Sequence, residues 1–466
     1  MNHLLEYPLE DTFVPLSKNI DPSDGNCFSV LIGKNGVGKS RLLADIAQNY
    51  NKKLSPRNSV YFDGGYMPSK VIAVSTSPFD KFPPIRNRGQ ESPGYSYVGM
   101  RGSGIYATNA MALIASAAKG LLSKYEESYR HNNFVEVFKL LNLENNLSFV
   151  FKLSIRRFLE VKDPESGQGY RVDYLLTGID LFDLFGDADD NAFKEILEDR
   201  AFESYMNSSD SSKREVAHAL TYLWDHLETK KDALFKLDFD YRNPYEIGFS
   251  DYKKVKSILV LLDLGIVRLV DLKLKKSNGK DGRFQELSLR RASSGEQCML
   301  VIMLGIAGFI EDGALILIDE PEISLHPSWQ ERFMDLLMSV FSEYSGCHFI
   351  IATHSPQVVA RLAANNCFIT VMGENKMYSA VEYMRRSSDY QLTELFDAPG
   401  MMNEYITRIA FSLLVKVKHQ QYLEVEDFAQ LNKLARLHLK LSGDDPNKEL
   451  IDSVMQICEH YRKNAE

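Results

Sequence analysis

The stretch of sequence that decides the fold reads Gly33-Lys34-Asn35-Gly36-Val37-Gly38-Lys39-Ser40. Its spacing fits G-x-x-x-x-G-K-[ST], the pattern of a phosphate-binding loop. Residues 27–32 before it are apolar and β-branched enough for a buried strand, and residues 41–47 after it have the apolar spacing of a helix. A strand, a glycine-rich loop and a helix are the context in which this pattern predicts a phosphate site rather than a turn beside a chance lysine.

The residue types of this loop suit the binding of phosphate groups. The glycines let successive backbone N–H groups turn inward around phosphate oxygens, and the N-terminus of the following helix adds a partial positive charge. We expect Lys39 to reach the β- and γ-phosphates and Ser40 to offer its hydroxyl to Mg²⁺. The loop therefore predicts a site for a nucleoside triphosphate.

A second motif is the apolar run Ala314-Leu315-Ile316-Leu317-Ile318, which ends in Asp319, Glu320 and Pro321. A strand of this kind is typical of the centre of a mostly parallel sheet. We expect Asp319 to hold a metal ion at the end of the strand and Glu320 to polarise an attacking water. Another apolar run, residues 349–353, ends at His354. A lone histidine at a strand end is more often structural, but the order of the motifs favours a role beside a nucleotide.

The remaining motif is Ser293-Ser294-Gly295-Glu296, which precedes an apolar helix predicted over residues 298–310. Serine is a good N-cap residue, and glycine permits close approach of another backbone. Taken alone, this is a common way to begin a helix. It gains meaning from its position between the phosphate loop and the run that ends at Asp319.

Composition limits the classes of protein. The 466 residues suggest two or three domains, and 44% hydrophobic with 25% charged residues is usual for a soluble protein. The net charge of −9 disfavours a chain that binds nucleic acid over its whole surface. Five scattered cysteines predict free thiols rather than disulfides or a zinc site. We expect no signal peptide, no membrane span and a cytoplasmic location.

The fold class that these patterns predict is α/β, with a mostly parallel sheet, a mixed and mainly helical insertion, and a helical C-terminal tail. The insertion contains helical spacing over residues 108–129, 191–206, 211–228 and 251–264 and extended patterns over 149–161 and 170–176. An acidic loop at residues 187–190 lacks the spacing of a calcium site. Residues 267–272 and 283–289 predict a hairpin. The predicted domains are an ATPase domain in two parts (1–84 and 266–385), the insertion (85–265) and the tail (386–466).

This order of motifs resembles the ATP-binding-cassette (ABC) ATPase superfamily over residues 1–84 and about 265–385. Residues 33–40 match its Walker A motif, residues 293–296 its signature motif, residues 315–320 its Walker B motif and His354 its switch histidine. Residues 322–327 lie where that family has its D-loop. The resemblance implies that ATP and Mg²⁺ are cofactors, that Ser40 and Asp319 hold the metal, and that Glu320 and His354 are catalytic.

The resemblance also implies how the chain pairs with itself. In that family two cassettes face head to tail as a homodimer or a higher oligomer, so that two surfaces close on each nucleotide. One surface would consist of Lys34, Asn35, Gly36, Val37, Gly38, Lys39, Ser40 and Arg41, and the other of Ser293, Ser294, Gly295 and Glu296 from the second chain. One departure is that the family's glutamine after the strand at residues 71–74 is missing. Ser77 and Asp80 are both candidates to replace it.

The tail and the loop at residues 77–82 are most similar to the PtuA family, the ATPases of Septu-type and retron-associated anti-phage systems. That resemblance implies a sensor or regulatory ATPase with a separate partner nuclease of the HNH type, acting without a membrane. The alternative is a DNA repair or recombination ATPase of the RecF or SMC type that binds DNA itself. A basic cluster keeps the alternative open: Lys273, Lys275, Lys276, Lys280 and Arg283.

Overall fold

The strands and helices below come from a computed structural model. It describes residues 3–18, 25–51, 68–83, 94–99, 114–115, 117–120, 122, 135–156, 158–162, 169–173, 190–227, 233–240, 250–277, 284–362, 366–384 and 386–463. The strands of these residues are β1 Glu6–Leu9, β2 Thr12–Pro15, β3 Cys27–Ile32, β4 Val71–Ser75, β5 Tyr95–Gly99, β6 Leu143–Leu153, β7 Phe158–Lys162, β8 Gly169–Asp173, β9 Leu234–Asp240, β10 Val267–Ser277, β11 Phe284–Ser288, β12 Leu315–Asp319, β13 His348–Ala352, β14 Cys367–Val371 and β15 Lys376–Ser379.

The α-helices follow the same chain order. They are α1 Lys39–Asn51, α2 Val135–Leu140, α3 Asp190–Ile196, α4 Asp199–Met206, α5 Asp210–Asp225, α6 Ser250–Asp263, α7 Ser294–Phe309, α8 Pro327–Val340, α9 Pro356–Ala360, α10 Ser388–Glu394, α11 Glu404–Gln420, α12 Val425–His438 and α13 Pro446–Lys463. Short 3-10 helices occupy Leu289–Arg291 and Ala380–Tyr383.

A seven-stranded sheet in the order β15-β14-β3-β13-β12-β4-β5 forms the centre of the molecule. All its pairings are parallel except that of β14 with β15. Every residue of β3, β4, β12 and β13 is buried, as expected for strands covered on both faces. Parallel strands end at the same edge of a sheet, so the residues after β3, β4, β12 and β13 come together there. The expected α/β fold with a mostly parallel sheet is confirmed.

A second, antiparallel sheet has the order β11-β10-β6-β9. The predicted hairpin is its β10–β11 pair, with Ser277 opposite Phe284. This sheet joins strands from both sides of the predicted boundary at residue 265, and β5 joins the central sheet from beyond residue 84. The domain boundaries stay predictions. The expected loop at residues 187–189 and most of the helix expected over 108–129 lie outside the described residues.

Two of the elements expected in the insertion are interrupted. The helix expected over residues 191–206 is two helices, α3 and α4, because Leu197 forms a β-bridge with Ile155 and the Glu198 N–H donates to the Ser154 carbonyl at 3.0 Å. The same contacts interrupt the second element, the extended segment expected over residues 149–161, after β6. A backbone held by a neighbouring strand cannot continue its helical hydrogen bonds.

The tail consists of helices, as expected. Helices α11, α12 and α13 enclose a hydrophobic cluster of their own: Ile406, Ala410, Leu413, Val417, Leu434, Leu437, Leu441, Ile451, Val454 and Cys458. In the part of the chain that the structure describes, no helix combines the length and the apolar character needed to cross a bilayer.

Candidate nucleotide site

The phosphate loop connects β3 to α1 at the edge where the parallel strands end. Gly36 and Gly38 have φ values of +83° and +102°, a region that side-chain-bearing residues rarely adopt. Lys39 is buried, and its Nζ donates to the carbonyl oxygens of Gly33 at 2.8 Å and Lys34 at 3.2 Å. The ammonium group of Lys39 is therefore hydrogen-bonded to the main chain at the start of the loop. Burial lowers the pKa of Lys39, and the carboxylates of the site oppose that shift.

The next residue of the loop touches the second motif directly. The Ser40 hydroxyl donates to Asp319 Oδ1 at 3.0 Å, so a residue of α1 meets the last residue of β12. Burial is the main reason that the pKa of Asp319 rises to about 7. The hydrogen bond from Ser40 opposes the rise, and three carboxylates add to it: Glu320, Asp80 and Glu322.

This pair of oxygen donors fits Mg²⁺. A raised carboxyl pKa marks a place where negative charge is poorly compensated, and a hard cation would compensate it. Among the residues that the structure describes, no group of three or more His, Cys, Asp and Glu side chains could hold a metal ion by themselves. Mg²⁺ usually binds one or two protein oxygens together with phosphate oxygens and water, and the Ser40–Asp319 pair offers two.

Glu320 and His354 lie beside this pair. Glu320 follows β12 with a φ of +48°, an uncommon value for a residue with a side chain, and its N–H donates to the Ala352 carbonyl at 2.9 Å. His354 Nε2 lies 3.6 Å from Glu320 Oε1, and its Nδ1 lies 3.5 Å from Lys39 Nζ. The structure therefore brings the predicted base and the predicted switch histidine together.

The position of Lys39 bears on which ring nitrogen of His354 carries the proton. An ammonium group only donates, so the 3.5 Å contact of Lys39 Nζ with Nδ1 favours the tautomer that carries its proton on Nε2, the nitrogen nearer Glu320. Burial lowers the pKa of His354, and the nearby charge of Lys39 lowers it further, while Glu320 opposes the shift. The imidazole is thus neutral near pH 7.

The loop that lacks the family's glutamine places Ser77 and Asp80 differently. The Ser77 hydroxyl accepts from the Phe79 N–H at 3.2 Å within its own turn. Asp80 is buried, and its carboxylate accepts from the Tyr97 hydroxyl at 2.8 Å and the Phe82 N–H at 3.0 Å. The charge of Asp80 is also one of the smaller causes that raise the pKa of Asp319.

Ser293-Ser294-Gly295-Glu296 begins helix α7, as the sequence predicts for a cap. The Ser293 hydroxyl accepts from the Glu296 N–H, and the Glu296 carboxylate accepts from the Ser293 N–H at 3.0 Å. Burial alone would raise the pKa of Glu296, but hydrogen bonds from Lys276 and Ser293 outweigh it, so the pKa lies below its usual value. This end of the helix is capped within the chain.

Gly295 is required by close packing. A Cβ atom at this position would lie 2.7 Å from a ring carbon of Trp329 and 3.0 Å from the Ser324 carbonyl oxygen. Ser324 belongs to the loop between Glu320 and α8, so the start of α7 packs against the loop that follows the two carboxylates. Ser293 and Ser294 are exposed beside it.

Other residues of the phosphate loop make contacts with neighbouring parts of the chain. Lys34 Nζ lies 3.5 Å from Asp397 Oδ2, and Asp397 also pairs with Lys440 of the tail. Arg41 pairs with Glu10 of the β1–β2 hairpin at 2.9 Å. Lys34, Asn35, Gly36 and Arg41 are exposed, while Val37 is half-buried. That these residues bind the nucleotide stays a prediction.

Sequence reasoning missed Glu322. This carboxylate accepts a hydrogen bond from the His354 N–H, and its other oxygen, Oε2, is shielded from solvent without a partner. The sequence offers one signal, a third carboxylate two residues after Glu320. Nothing in a strand pattern shows that a loop carboxylate turns back to the end of the neighbouring strand.

The described lysines of the basic cluster are paired with carboxylates. Lys273 pairs with Glu286, Lys275 with Glu144 at 3.7 Å, and Lys276 with Glu296 at 2.6 Å. Lys280 and Arg283 lie outside the described residues. The positive charge that these three lysines present to a DNA backbone is therefore partly neutralised within the chain.

The chain is similar to one protein family model and to two known proteins. A family model described as "AAA domain, putative AbiEii toxin, Type IV TA system" matches residues 147–360, just under half of the chain. The match contains the start of α7, the end of β12 and His354, but not the phosphate loop. The chain is also 24% identical over 421 residues to the retron Ec83 probable ATPase of Escherichia coli, covering 79% of this chain and 71% of that protein.

A shorter similarity is to protein ea59 of Escherichia phage lambda, 34% identical over 84 residues, which covers 18% of this chain and 16% of that protein. The family match and the E. coli relative together support an ATPase of a defence-associated type.

Proposed function

We propose that this chain is an ABC-type ATPase, most like PtuA, that acts in the cytoplasm as the sensor or regulatory subunit of an anti-phage defence complex. In this proposal it controls a separate effector nuclease of the HNH type. The observation that carries the nucleotide part is the hydrogen bond between Ser40 and Asp319 beside the buried Lys39. It joins the phosphate loop to the metal carboxylate within one chain. The E. coli relative, named for a retron, supports the defence context.

Each side chain of the site has a task in the proposed hydrolysis of ATP. Bound Mg²⁺ supplies positive charge to the phosphates, and Ser40 and Asp319 would hold it. Lys39 adds a second cation next to the terminal phosphates. Glu320 accepts a proton from the attacking water, and His354 lies beside this base with its Nε2 at 3.6 Å from Glu320 Oε1.

We assign the place of the missing glutamine to Asp80. Its carboxylate is held by Tyr97 and Phe82 and acts on Asp319 electrostatically, whereas Ser77 is engaged in its own turn. In this assignment Asp80 would add negative charge that favours a cation held by Ser40 and Asp319. Asp80→Asn should therefore weaken Mg²⁺-dependent ATP binding more than Mg²⁺-free binding, which calorimetry with and without the metal measures.

Pairing of two chains completes the proposed cycle. The exposed Ser294 and the N-terminus of α7 would meet the γ-phosphate held by the phosphate loop of the second chain. ATP would then favour the closed pair, and ADP would release it. An effector bound to the two chains could respond to this change between the closed and the released pair.

Purification of the complex from its source cell tests this function. We would tag the wild type and Glu320→Gln, purify each with ATP or ADP, identify co-purified chains by mass spectrometry and measure DNA cleavage by each preparation. We expect a nuclease to co-purify and its cleavage to differ between ATP and ADP. A purified chain that binds DNA alone, with an affinity that falls steeply with salt, and retains no nuclease would instead support the RecF-type alternative.

A further inference from the structure

We propose that Glu322 is a positioning residue of the ATPase site: its carboxylate fixes the main chain at His354 and so orients the imidazole between Lys39 and Glu320. This inference rests on the proposed function, because it assigns a residue to the same site. Glu322 follows the two carboxylates of the Walker B match, at the start of the loop that leads to α8.

The pairing of β12 with β13 explains why a side chain is needed here. The two strands are parallel, with Asp319 opposite Ala352, and the Glu320 N–H donates to the Ala352 carbonyl at 2.9 Å. Beyond this bond the chain turns away, because Glu320 has a φ of +48° and the next residue, Pro321, has no N–H. The regular ladder between the two strands therefore stops.

The His354 N–H lies just past that end of the ladder. It donates to Glu322 Oε1, so a carboxylate oxygen takes the place of a main-chain carbonyl. Burial raises the pKa of the Glu322 carboxyl, and the hydrogen bond from the His354 N–H is the largest cause that opposes the rise. The Oε1 atom accepts this hydrogen bond whether or not the carboxyl is ionised. The bond holds the backbone from which the imidazole projects.

A second contact joins the same two turns. Gln330 of α8 donates to the Glu322 carbonyl at 3.3 Å and to the Leu325 carbonyl at 3.0 Å, and its Oε1 accepts from the Ser355 hydroxyl at 2.7 Å. The turn that carries Glu322 is thus tied to both His354 and the residue after it. Two independent attachments leave little freedom for the histidine backbone.

The imidazole ring of His354 needs this main-chain support because its own contacts are long. His354 Nδ1 lies 3.5 Å from Lys39 Nζ, at the long limit of a hydrogen bond, and its Nε2 lies 3.6 Å from Glu320 Oε1, which is too far for one. Contacts of this length do not orient an imidazole well by themselves. We infer that the orientation comes from the main chain, and that Glu322 supplies it.

Two substitutions of Glu322 distinguish the role of its acceptor oxygen from the role of its side-chain volume. Glu322→Met removes the acceptor at nearly the same volume, whereas Glu322→Gln keeps a carbonyl oxygen that can accept from the His354 N–H. The readout is the ¹⁵N spectrum of histidine-labelled protein at a fixed pH of 7.5, in which the His354 signals are identified by their loss in His354→Ala. It reports the tautomer directly and does not depend on turnover.

We expect the wild type and Glu322→Gln to show the Nε2–H tautomer at His354 and Glu322→Met to show a mixture of both tautomers. An unchanged tautomer in a folded Glu322→Met protein would overturn the proposal. ATP binding by calorimetry is measured on the same samples. A wild type that binds no ATP would contradict the proposed function while the tautomer result still decides the role of Glu322.

A double-mutant cycle distinguishes positioning from general support of the fold. Glu322→Met should lower kcat about 10- to 100-fold, the usual effect of removing an outer partner of a functional histidine. KM for ATP should change little. In the His354→Ala background the same substitution should lower kcat less than about twofold, because its effect passes through the histidine. Equal losses in the two backgrounds, with equal falls in Tm, would mean that Glu322 only stabilises the fold.

Discussion

The two halves of the candidate site differ in how far they are assembled within one chain. On the phosphate-loop side, Lys39 and Asp319 are buried and Ser40 already touches Asp319. On the signature side, Ser293 and Ser294 are exposed, and the helix start is capped by its own Glu296. We therefore expect substitutions in the first half to impair nucleotide binding or hydrolysis, and substitutions in the second half to spare binding and to affect the proposed contact between chains.

The largest effect is expected from Lys39→Ala. Lys39 is the buried cation of the loop, and its substitution would remove the charge proposed to bind the terminal phosphates. We expect ATP binding to fall below detection in calorimetry while the circular dichroism spectrum stays that of the wild type. Lys376→Ala, which removes an exposed lysine that pairs with Glu374, is the control and should bind ATP normally. Equal affinities for all three proteins would refute the assignment of the first half.

Glu320→Gln tests ATP hydrolysis separately from ATP binding within the first half of the site. We expect it to bind ATP and Mg²⁺ through Ser40 and Asp319 but to release phosphate at least ~100-fold more slowly, the usual weight of a positioned base. Phosphate release in a single turnover is the measurement. If the mutant and the wild type hydrolyse ATP at the same rate, Glu320 is not the base. A wild type without turnover would mean that ATP acts as a ligand.

Ser294→Arg tests the second half of the site, which is the exposed start of α7. A long charged side chain at the exposed start of α7 should obstruct the surface proposed to meet the second chain. We expect ATP binding by the single chain to remain normal, while ATP-dependent pairing in analytical ultracentrifugation and turnover both fall about 10-fold or more, the scale of one lost anion contact.

The matched control is Ser388→Arg, because Ser387-Ser388 begins helix α10 in the same way. It should leave pairing unchanged. Pairing that ignores both the nucleotide and Ser294 would show that Ser293-Ser294 is only a helix cap.

The smallest effect is expected from Ser293→Ala, which removes the cap of α7. Loss of a serine cap costs about 1 kcal/mol, so amides of the first turn should exchange hydrogen about fivefold faster. Exchange followed by mass spectrometry over residues 290–300 measures this. Ser387→Ala should produce a similar change in α10 and none in α7. An unaltered α7 would mean that Glu296 and Lys276 hold this helix start without the serine.

The sequence predicted what local pattern determines. The phosphate loop, the strand before Asp319, the hairpin β10–β11 and the start of α7 all follow from the spacing of a few adjacent residues. The confirmed parallel sheet follows from apolar runs that end in polar residues. These features depend on short-range physics, which a single sequence contains.

What the sequence did not show depends on contacts between distant residues. The break at Leu197 results from a bridge to Ile155. In the antiparallel sheet, β6 pairs with β10, more than 100 residues further along the chain, and with β9, more than 80 residues further along. The bond from His354 to Glu322 requires two strands to be neighbours before it can form. No pattern within one segment encodes such pairings.

The contact between Lys34 and Asp397 has a consequence for the tail. Asp397 contacts Lys34 of the phosphate loop through Oδ2 and Lys440 of the tail through Oδ1, so one carboxylate links the loop to the tail. An exposed ion pair is worth up to about 1 kcal/mol, which limits the coupling through this contact to about fivefold. Thermodynamic reciprocity then applies: a ligand of the tail that withdraws Asp397 alters the affinity of the loop for ATP, and ATP alters the affinity for that ligand by the same factor.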